Sequence, residues 1–447
     1  MSKKYYLVSL GCAKNTVDSQ SMGTLLSQAG YRPTDKRSEA DVLIVNTCGF
    51  IGPARQESIE TLKELAKRKK RGQFLVAAGC LTERYREQVA SEVPGIDGIL
   101  GTRRWMDIVD LVQQLRPGQQ YPQPLYHLPD VPTVGKDEKG VHRVSVQGTS
   151  AYLKIADGCR RPCAFCAIPL IKGTAVSRPP EAIFEEVRAL QKAGVQEVIL
   201  IAQDTTDYGH DLGLKDGLSF LLEGILREAP EIPWVRILYA YPGYVTDRLI
   251  EVMARSPRVV PYLDMPLQHA HPQTLKRMRR PANMDWVVRT LEKMRSAIPD
   301  LALRTTFIVG YPGETEEEFE TLLRFVEETR FDHVGIFPFS FEKGTPSEPL
   351  GDPIPREVKE ERLQRLATLQ EKISLERNQS YVGKVQQVIV EGANQGITVG
   401  RAYHDAPEID GMVFIEGQAP VGEIVSVRIT GAMVHDLTGV IVESTGN

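Results

Sequence analysis

The sequence predicts an α/β chain in three parts: an N-terminal open parallel sheet, a central partial TIM-like barrel of six β/α units, and a small antiparallel β-barrel at the C-terminus. Three observations carry this reading. Apolar runs alternate with helix-period stretches from Tyr5 to about Arg116 and again from Ala151 to Asn378, the pattern of strands joined by crossover helices. From Tyr381 onward the text changes to short strands punctuated by Gly and Asn. At 447 residues the chain is also too long for one ordinary domain.

The N-terminal third opens with a strand, Tyr5 to Leu10, running into Gly11-Cys12. A helical pattern follows from about Val17 to Gly30. A second strand ends in Thr47-Cys48-Gly49, and a charged helix spans about Ala54 to Arg71. A third strand ends in Ala78-Gly79-Cys80, followed by a helix from about Glu83. Each cysteine closes a strand beside a glycine. Open parallel sheets gather ligands at the carboxyl ends of their strands, so three thiols delivered there imply one shared site. The glycines are expected to clear space where a cluster approaches the backbone. Buried cysteines packing as small apolar groups are the plainer alternative. From Arg116 to Gly140 the text is rich in Pro and Gly and lacks a period. It reads as a linker, which puts the first unit at residues 1–140.

The second unit, 141–378, begins with the strand Ala151 to Ala156. The loop after it, Asp157 to Cys166, carries Cys159, Cys163 and Cys166 in the order C-x-x-x-C-x-x-C. Three thiolates on one loop can hold three irons of an iron–sulfur cube and leave the fourth open, as a catalytic metal site requires. Pro162 bars a regular helix here, and Gly158 allows a tight bend. A zinc knuckle is the alternative, but no nearby Cys or His completes it. Further strands are expected at Glu197–Ala202, Val235–Ala240, Tyr262–Leu267, Leu303–Val309 and Val334–Phe339. The helices between them are expected at Pro180–Ala193, Ser219–Glu228, Asp247–Arg255, Pro272–Met278 and Thr315–Arg330. Thr315 and Glu318 have capping-box spacing. Barrel chemistry sits at the C-terminal strand ends, where Gln203, Asp204, Tyr241, Gln268, His269 and Gly310 fall. The turn Gly310 to Glu314 is read as backbone approaching a small ligand, and the basic run Lys276 to Arg280 as a solvated helix end. A long helix, about Arg356 to Asn378, leads out.

The third unit, 379–447, is the strand-rich tail. Small barrels of this kind often bind RNA, but a module that grips phosphates should be basic. From Tyr381 to the end there are three cations (Lys384, Arg401 and Arg428) against eight anions. Asp405, Glu408 and Asp410 crowd one loop. An acidic tail suits a basic protein partner and disfavours RNA. The chain as a whole carries a net charge of −4, with no apolar run long enough for a signal peptide or membrane span. A cytoplasmic protein without disulfides is expected.

With these residues in hand, the chain resembles a methylthiotransferase of the radical S-adenosylmethionine (SAM) superfamily over essentially its whole length. SLGCAKNTVDS, VNTCGFI and AAGCLTERY are similar to the family's three N-terminal cysteine motifs. IADGCRRPCAFCAIPLIKG is similar to its radical motif, and the tail to its TRAM domain. SLGCAKNTVDS, DGCRRPCAFCAIP, the DMPLQHA segment and the DAPEIDG loop resemble the RimO branch, which modifies an aspartate of ribosomal protein S twelve. A sister branch modifies a tRNA adenosine. Lys172 departs from the pattern, since the family more often has Arg before this Gly.

The resemblance implies two 4Fe-4S clusters, one on Cys159, Cys163 and Cys166 and one on Cys12, Cys48 and Cys80. The first would bind SAM and generate a 5′-deoxyadenosyl radical that takes hydrogen from the β-carbon of the target aspartate. The second would deliver sulfur, and a second SAM the methyl group. Phe165 would lie against the adenine, with Gln203 and Asp204 in the SAM site. An electron donor such as a flavodoxin or ferredoxin is implied. Beside this stand a tRNA methylthiotransferase with the same chemistry, and a non-catalytic iron–sulfur carrier or zinc-dependent RNA-binding protein.

Overall fold

The computed structural model describes residues 3–116, 123–136, 138–394 and 396–442. The N-terminal sheet is wholly parallel. Its strands run in the order Arg32–Pro33, Lys4–Ser9, Val42–Thr47, Phe74–Gly79, Gly98–Gly101, Leu125–His127. VLIVNT and FLVAAG are buried at every position, because helices cover both faces. The sixth strand corrects the linker reading. Leu125–His127 pairs with Gly98–Gly101, but three residues between prolines show no period in a sequence. Residues 117–122 and 137 of that stretch lie outside the described residues.

The central sheet has seven strands. Six are parallel: Ser150–Lys154, Glu197–Ile201, Trp234–Ile237, Val259–Asp264, Ala302–Val309 and His333–Pro338. The seventh, Val144–Gln147, runs antiparallel on the first strand's edge and was not expected. The helix Met284–Ala297 was not expected either, although Asn283 caps it through Oδ1 to the Trp286 N–H at 3.0 Å. The Thr315–Glu318 capping box forms. Alternate residues sort onto two faces: Val198 and Leu200 pack under the helices, while Ile199 and Ile201 face inward with Tyr152 and Tyr262.

That inner core is closed at both ends by other parts of the chain. Val17, from the N-terminal helix Ala13–Gln28, fills it at one end, and Ile389 and Ala406 of the tail fill it at the other. The tail is a closed five-stranded barrel. Its neighbours are antiparallel except Val413–Glu416 with Leu437–Ile441, which pair in parallel.

The tail docks at the N-terminal ends of the central strands. Arg236 donates to the Tyr403 carbonyl at 2.8 Å, and His333 meets the His404 carbonyl at 2.7 Å. This corrects the reading of the acidic loop. Asp410 is buried and takes the Tyr262 hydroxyl at 2.6 Å and Arg304 at 3.3 Å. Asp405 is buried against His404 at 3.0 Å. These acids fasten one domain to another and offer nothing to a partner. A charge count cannot see burial. Among the described residues no helix is long and apolar enough to cross a membrane.

Candidate functional site

All six cysteines line one cavity of about 420 Å³ at the C-terminal ends of the central strands. Cys12 immediately precedes the helix Ala13–Gln28, Cys48 follows Val42–Thr47, and Cys80 begins the helix Cys80–Glu92. Cys159, Cys163 and Cys166 come from the non-helical loop after Ala156–Asp157. The thiols are free.

Gly158 makes the tight bend expected of it, and Gly79 makes room for backbone rather than for a cluster. Gly79 has φ +105°, and a Cβ there would lie 2.5 Å from the Thr47 carbonyl oxygen. Gly158 has φ +76°, and its Cβ would meet the Thr174 carbonyl at 2.0 Å. Both give way to neighbouring backbone, which lets the loops stack closely enough to aim the sulfurs inward.

The other candidates divide. Gln203 lines the cavity. Its Nε2 donates to Asp157 Oδ1 at 3.2 Å, while its buried Oε1 has no partner. Phe165 lines the cavity and packs beside Tyr311, Met278 and Phe339. Tyr241 and Gln268 also face in. Asp204 does not: its carboxylate takes Arg161 at 2.5 Å and the Thr206 hydroxyl at 2.5 Å. His269 is buried, accepting from the His271 N–H at 2.9 Å. The Gly310–Glu314 turn, read from sequence as a ligand loop, packs on the long helix Arg356–Gln379 instead. A Cβ on Gly310 would lie 2.4 Å from Lys359, and Glu314 pairs with Arg362 at 2.8 Å. The basic run is not simply solvated. Arg280 is buried, with Nη1 at 3.5 Å from Cys163 Sγ and its guanidinium over the Tyr241 ring.

The cavity has a marked electrostatic sign. Lys14, Arg161, Lys172 and Arg280 line it, and among the described residues no carboxylate does. Behind its wall lies a buried ion network. Asp18 meets Arg143 at 2.5 Å, Lys154 at 2.7 Å and Lys172 at 3.2 Å. Asp157 meets Lys154 at 2.5 Å and Lys172 at 2.9 Å. One aspartate comes from the N-terminal helix and the other from the start of the cysteine loop, so the network joins the two trios' supports. Lys172, where the sequence departs from the family pattern, bridges both.

Burial pushes the Cys80 thiol up to about 12 and Cys159 to about 11, and raises Cys166 further. Cys12 differs. Burial would raise it, but Lys14, the Asn15 backbone N–H and Lys172 outweigh that and hold it below its usual value. Thiols become thiolates when a cation sits among them. Among the described residues neither trio brings three sulfurs within 4.8 Å of one another. Three cysteine sulfurs in each trio are the donor set that iron–sulfur clusters use.

Three family models match the chain: "Radical SAM superfamily" over residues 153–326, "Uncharacterized protein family UPF0004" over 4–101, and "TRAM domain" over 382–442. Among curated relatives, the "Ribosomal protein uS12 methylthiotransferase RimO" of Roseiflexus sp. is 46% identical, covering 99% of this chain and 98% of its own. The protein of the same name from Chloroflexus aurantiacus is 47% identical, covering 98% and 99%. That from Symbiobacterium thermophilum is 45% identical, covering 98% and 90%. Among solved structures, the radical SAM methyltransferase TsrM of Kitasatospora setae, with tryptophan and a SAM analogue bound, aligns with TM-score 0.57 at 14% identity. The alignment covers 88% of this chain and 79% of TsrM. At that identity it shows a shared fold alone.

Proposed function

The chain belongs to the RimO-type methylthiotransferases of the radical SAM superfamily, and on that premise we propose that it inserts sulfur and a methyl group at the β-carbon of an aspartate in ribosomal protein uS12. The observation that carries this reading is the convergence of two cysteine trios, from two domains, on one cationic cavity. Cys159, Cys163 and Cys166 would hold one 4Fe-4S cluster, and Cys12, Cys48 and Cys80 a second. Such clusters supply an electron that cleaves SAM to a carbon radical, and the sulfur that is inserted.

The chain's own residues do the rest. Gln203 offers its free buried Oε1 to a donor of SAM. Arg280, fixed beside Cys163, supplies a positive charge for the SAM carboxylate or the cluster sulfurs. Phe165, Ile168 and Phe337 form apolar walls that keep water from a primary radical. Asp204 acts on Arg161 and not on the cofactor. The units are taken as 1–140, 141–378 and 379–447, with a flavodoxin or ferredoxin as electron donor.

A tRNA adenosine as substrate is the second reading. The acidic tail still disfavours it: Asp405 and Asp410 are used internally, but Glu408, Glu416 and Glu423 stay exposed. The relatives named for uS12 favour the protein substrate. The test is mass spectrometry of uS12 and bulk tRNA from a deletion strain, alongside reconstituted triple variants. Replacing Cys159, Cys163 and Cys166 by Ala should halve the iron from about eight atoms and end SAM cleavage. Replacing Cys12, Cys48 and Cys80 should also halve the iron, but spare cleavage and end sulfur insertion. A methylthio group missing from tRNA alone refutes the substrate assignment.

A further inference from the structure

The four cations of the cavity are not equivalent. Arg161 is tied to Asp204 at 2.5 Å and Asp207 at 3.2 Å, and Lys172 to Asp157 and Asp18. Arg280 is held by the Pro266 carbonyl, Cys163 Sγ and the Tyr241 face. Lys14 has no such tie. Among the described residues its ammonium makes no ion pair and no hydrogen bond to a carbonyl. It rests over the ring of Tyr239, 3.3 Å from the centroid. A half-buried ammonium with no carboxylate partner, and with the Cys12 sulfur and the Tyr239 ring beside it, carries a desolvation cost, and an aromatic face offsets only part of it. The position therefore favours any anion that enters.

Its platform is a built feature. Tyr239 has φ +63°, a conformation that a bulky residue rarely adopts and that clusters at functional sites. It is held there from both sides of the residue. Its N–H donates to Asp264 Oδ2 at 3.2 Å, and its carbonyl accepts from the Thr205 N–H at 3.0 Å and hydroxyl at 3.2 Å. Asp264 is itself fixed by Arg304 at 3.1 Å. Gln268, the only other cavity residue outside glycine with positive φ among those described, stands at +76°. Two strained residues at one cavity, one of them carrying its unpaired cation, mark a binding position.

We propose that Lys14 reads the carboxylate of the target side chain, and so determines that this enzyme takes an acidic residue and rejects its amide. The proposal rests on the aspartate-directed reading above. The substrate carboxylate takes the ammonium's vacant face, forming a charge-assisted hydrogen bond, while its β-carbon lies in the cavity between the trios. An asparagine of the same shape gives the ammonium no charge to neutralise.

The test uses the full chain, reconstituted anaerobically with SAM present. Binding is measured by fluorescence anisotropy for two synthetic peptides of the uS12 loop, one with the target aspartate and one with asparagine in its place. The wild type should prefer the aspartate peptide by about tenfold or more. Lys14→Gln should bind that peptide more weakly and lose most of the preference, with the asparagine peptide unchanged. Lys14→Arg should keep the preference, which guards against a folding defect in the glutamine variant. An undiminished preference in Lys14→Gln overturns the proposal. So does equal weakening of both peptides, which would assign Lys14 to the fold or to another anion. A wild type that neither binds nor modifies the aspartate peptide overturns the proposed function itself.

Discussion

Replacing Glu197 by Gln should unfasten the C-terminal barrel. Glu197 opens the second central strand and is fully buried. It takes Arg236 Nε at 2.6 Å, Arg401 Nη2 at 2.6 Å and the Ser150 hydroxyl at 3.0 Å. Arg236 belongs to the central barrel and Arg401 to the tail, so one carboxylate neutralises a guanidinium from each. Burial alone would raise its carboxyl, but Arg236 and Arg401 outweigh burial and hold it at about 2, against an ordinary 4.5. A depression of that size is worth about 3 kcal/mol. The loss of one partner from a buried pair, typically about 3–5 kcal/mol, agrees. Because the folded value is depressed, this stabilisation is complete above pH 4.5 and is lost as pH falls toward 2. Glutamine keeps the shape but leaves Arg236 without a counterion and Arg401 with Glu391 alone, at 2.6 Å. Hydrogen exchange in Val385–Asn394 and Ile424–Ala432 reads the local opening. At pH 7 the variant should lose about a hundredfold in protection, and the gap should narrow below pH 4.5. Adding Arg236→Met removes the orphaned charge and should recover part of the loss. Protection within about 0.5 kcal/mol of wild type at pH 7 would refute the reasoning.

Two further outcomes follow from the same structure. Asp18→Asn removes a carboxylate shared by Arg143, Lys154 and Lys172 and should cost about 3–5 kcal/mol, read as a lower thermal midpoint of the reconstituted protein; an unchanged midpoint counts against the network as an interdomain joint. At His333, burial would lower the imidazole, but Asp410 and Asp405 outweigh it and the value rises above 6.5. Its stabilisation is therefore complete below pH 6.5 and fades as pH rises through the raised value. Exchange in the C-terminal barrel should quicken over that window, and His333→Gln should flatten the profile. The Lys14 and cysteine variants above complete the set, and their readouts of peptide preference and iron content are independent of each other.

The site was legible where chemistry is written in residue type. Six cysteines of this spacing announce their role, and strand-end placement alone brings them to one edge. Gln203 and Asp204 show the limit of that rule. Adjacent at one strand end, they part ways because Arg161, 43 residues earlier in the chain, claims the aspartate. Lys14 and Arg280 could not be picked out at all. One sits within a helix and the other in a basic run that resembles any solvated helix end; only packing turns them toward sulfur and aromatic faces. Met284–Ala297 is a different kind of miss, since Asn283 after Pro281 is a readable start signal. Asp405 and Asp410 were misread because net charge says nothing about which acids remain in water.

Moving those acids inward relocates the choice of substrate. The tail plugs the end of the central barrel opposite the cysteines, so its strands cannot reach a target in the cavity. The N-terminal domain covers the other end and carries the second trio with it. Its position is set by direct bonds around the cavity. Arg84 pairs with Glu342 at 2.7 Å and donates to the Lys343 carbonyl at 2.7 Å. Arg103 donates to the Ile171 carbonyl at 2.9 Å and the Leu170 carbonyl at 2.7 Å. Ile171 and Lys172 directly follow the radical loop, so the bonds that seat the lid also fix one trio relative to the other. A target side chain must then enter beside exposed residues such as Phe337 and Tyr244. What decides between an aspartate and any other group is the chemistry met past that rim, and there the cation without a carboxylate partner is Lys14.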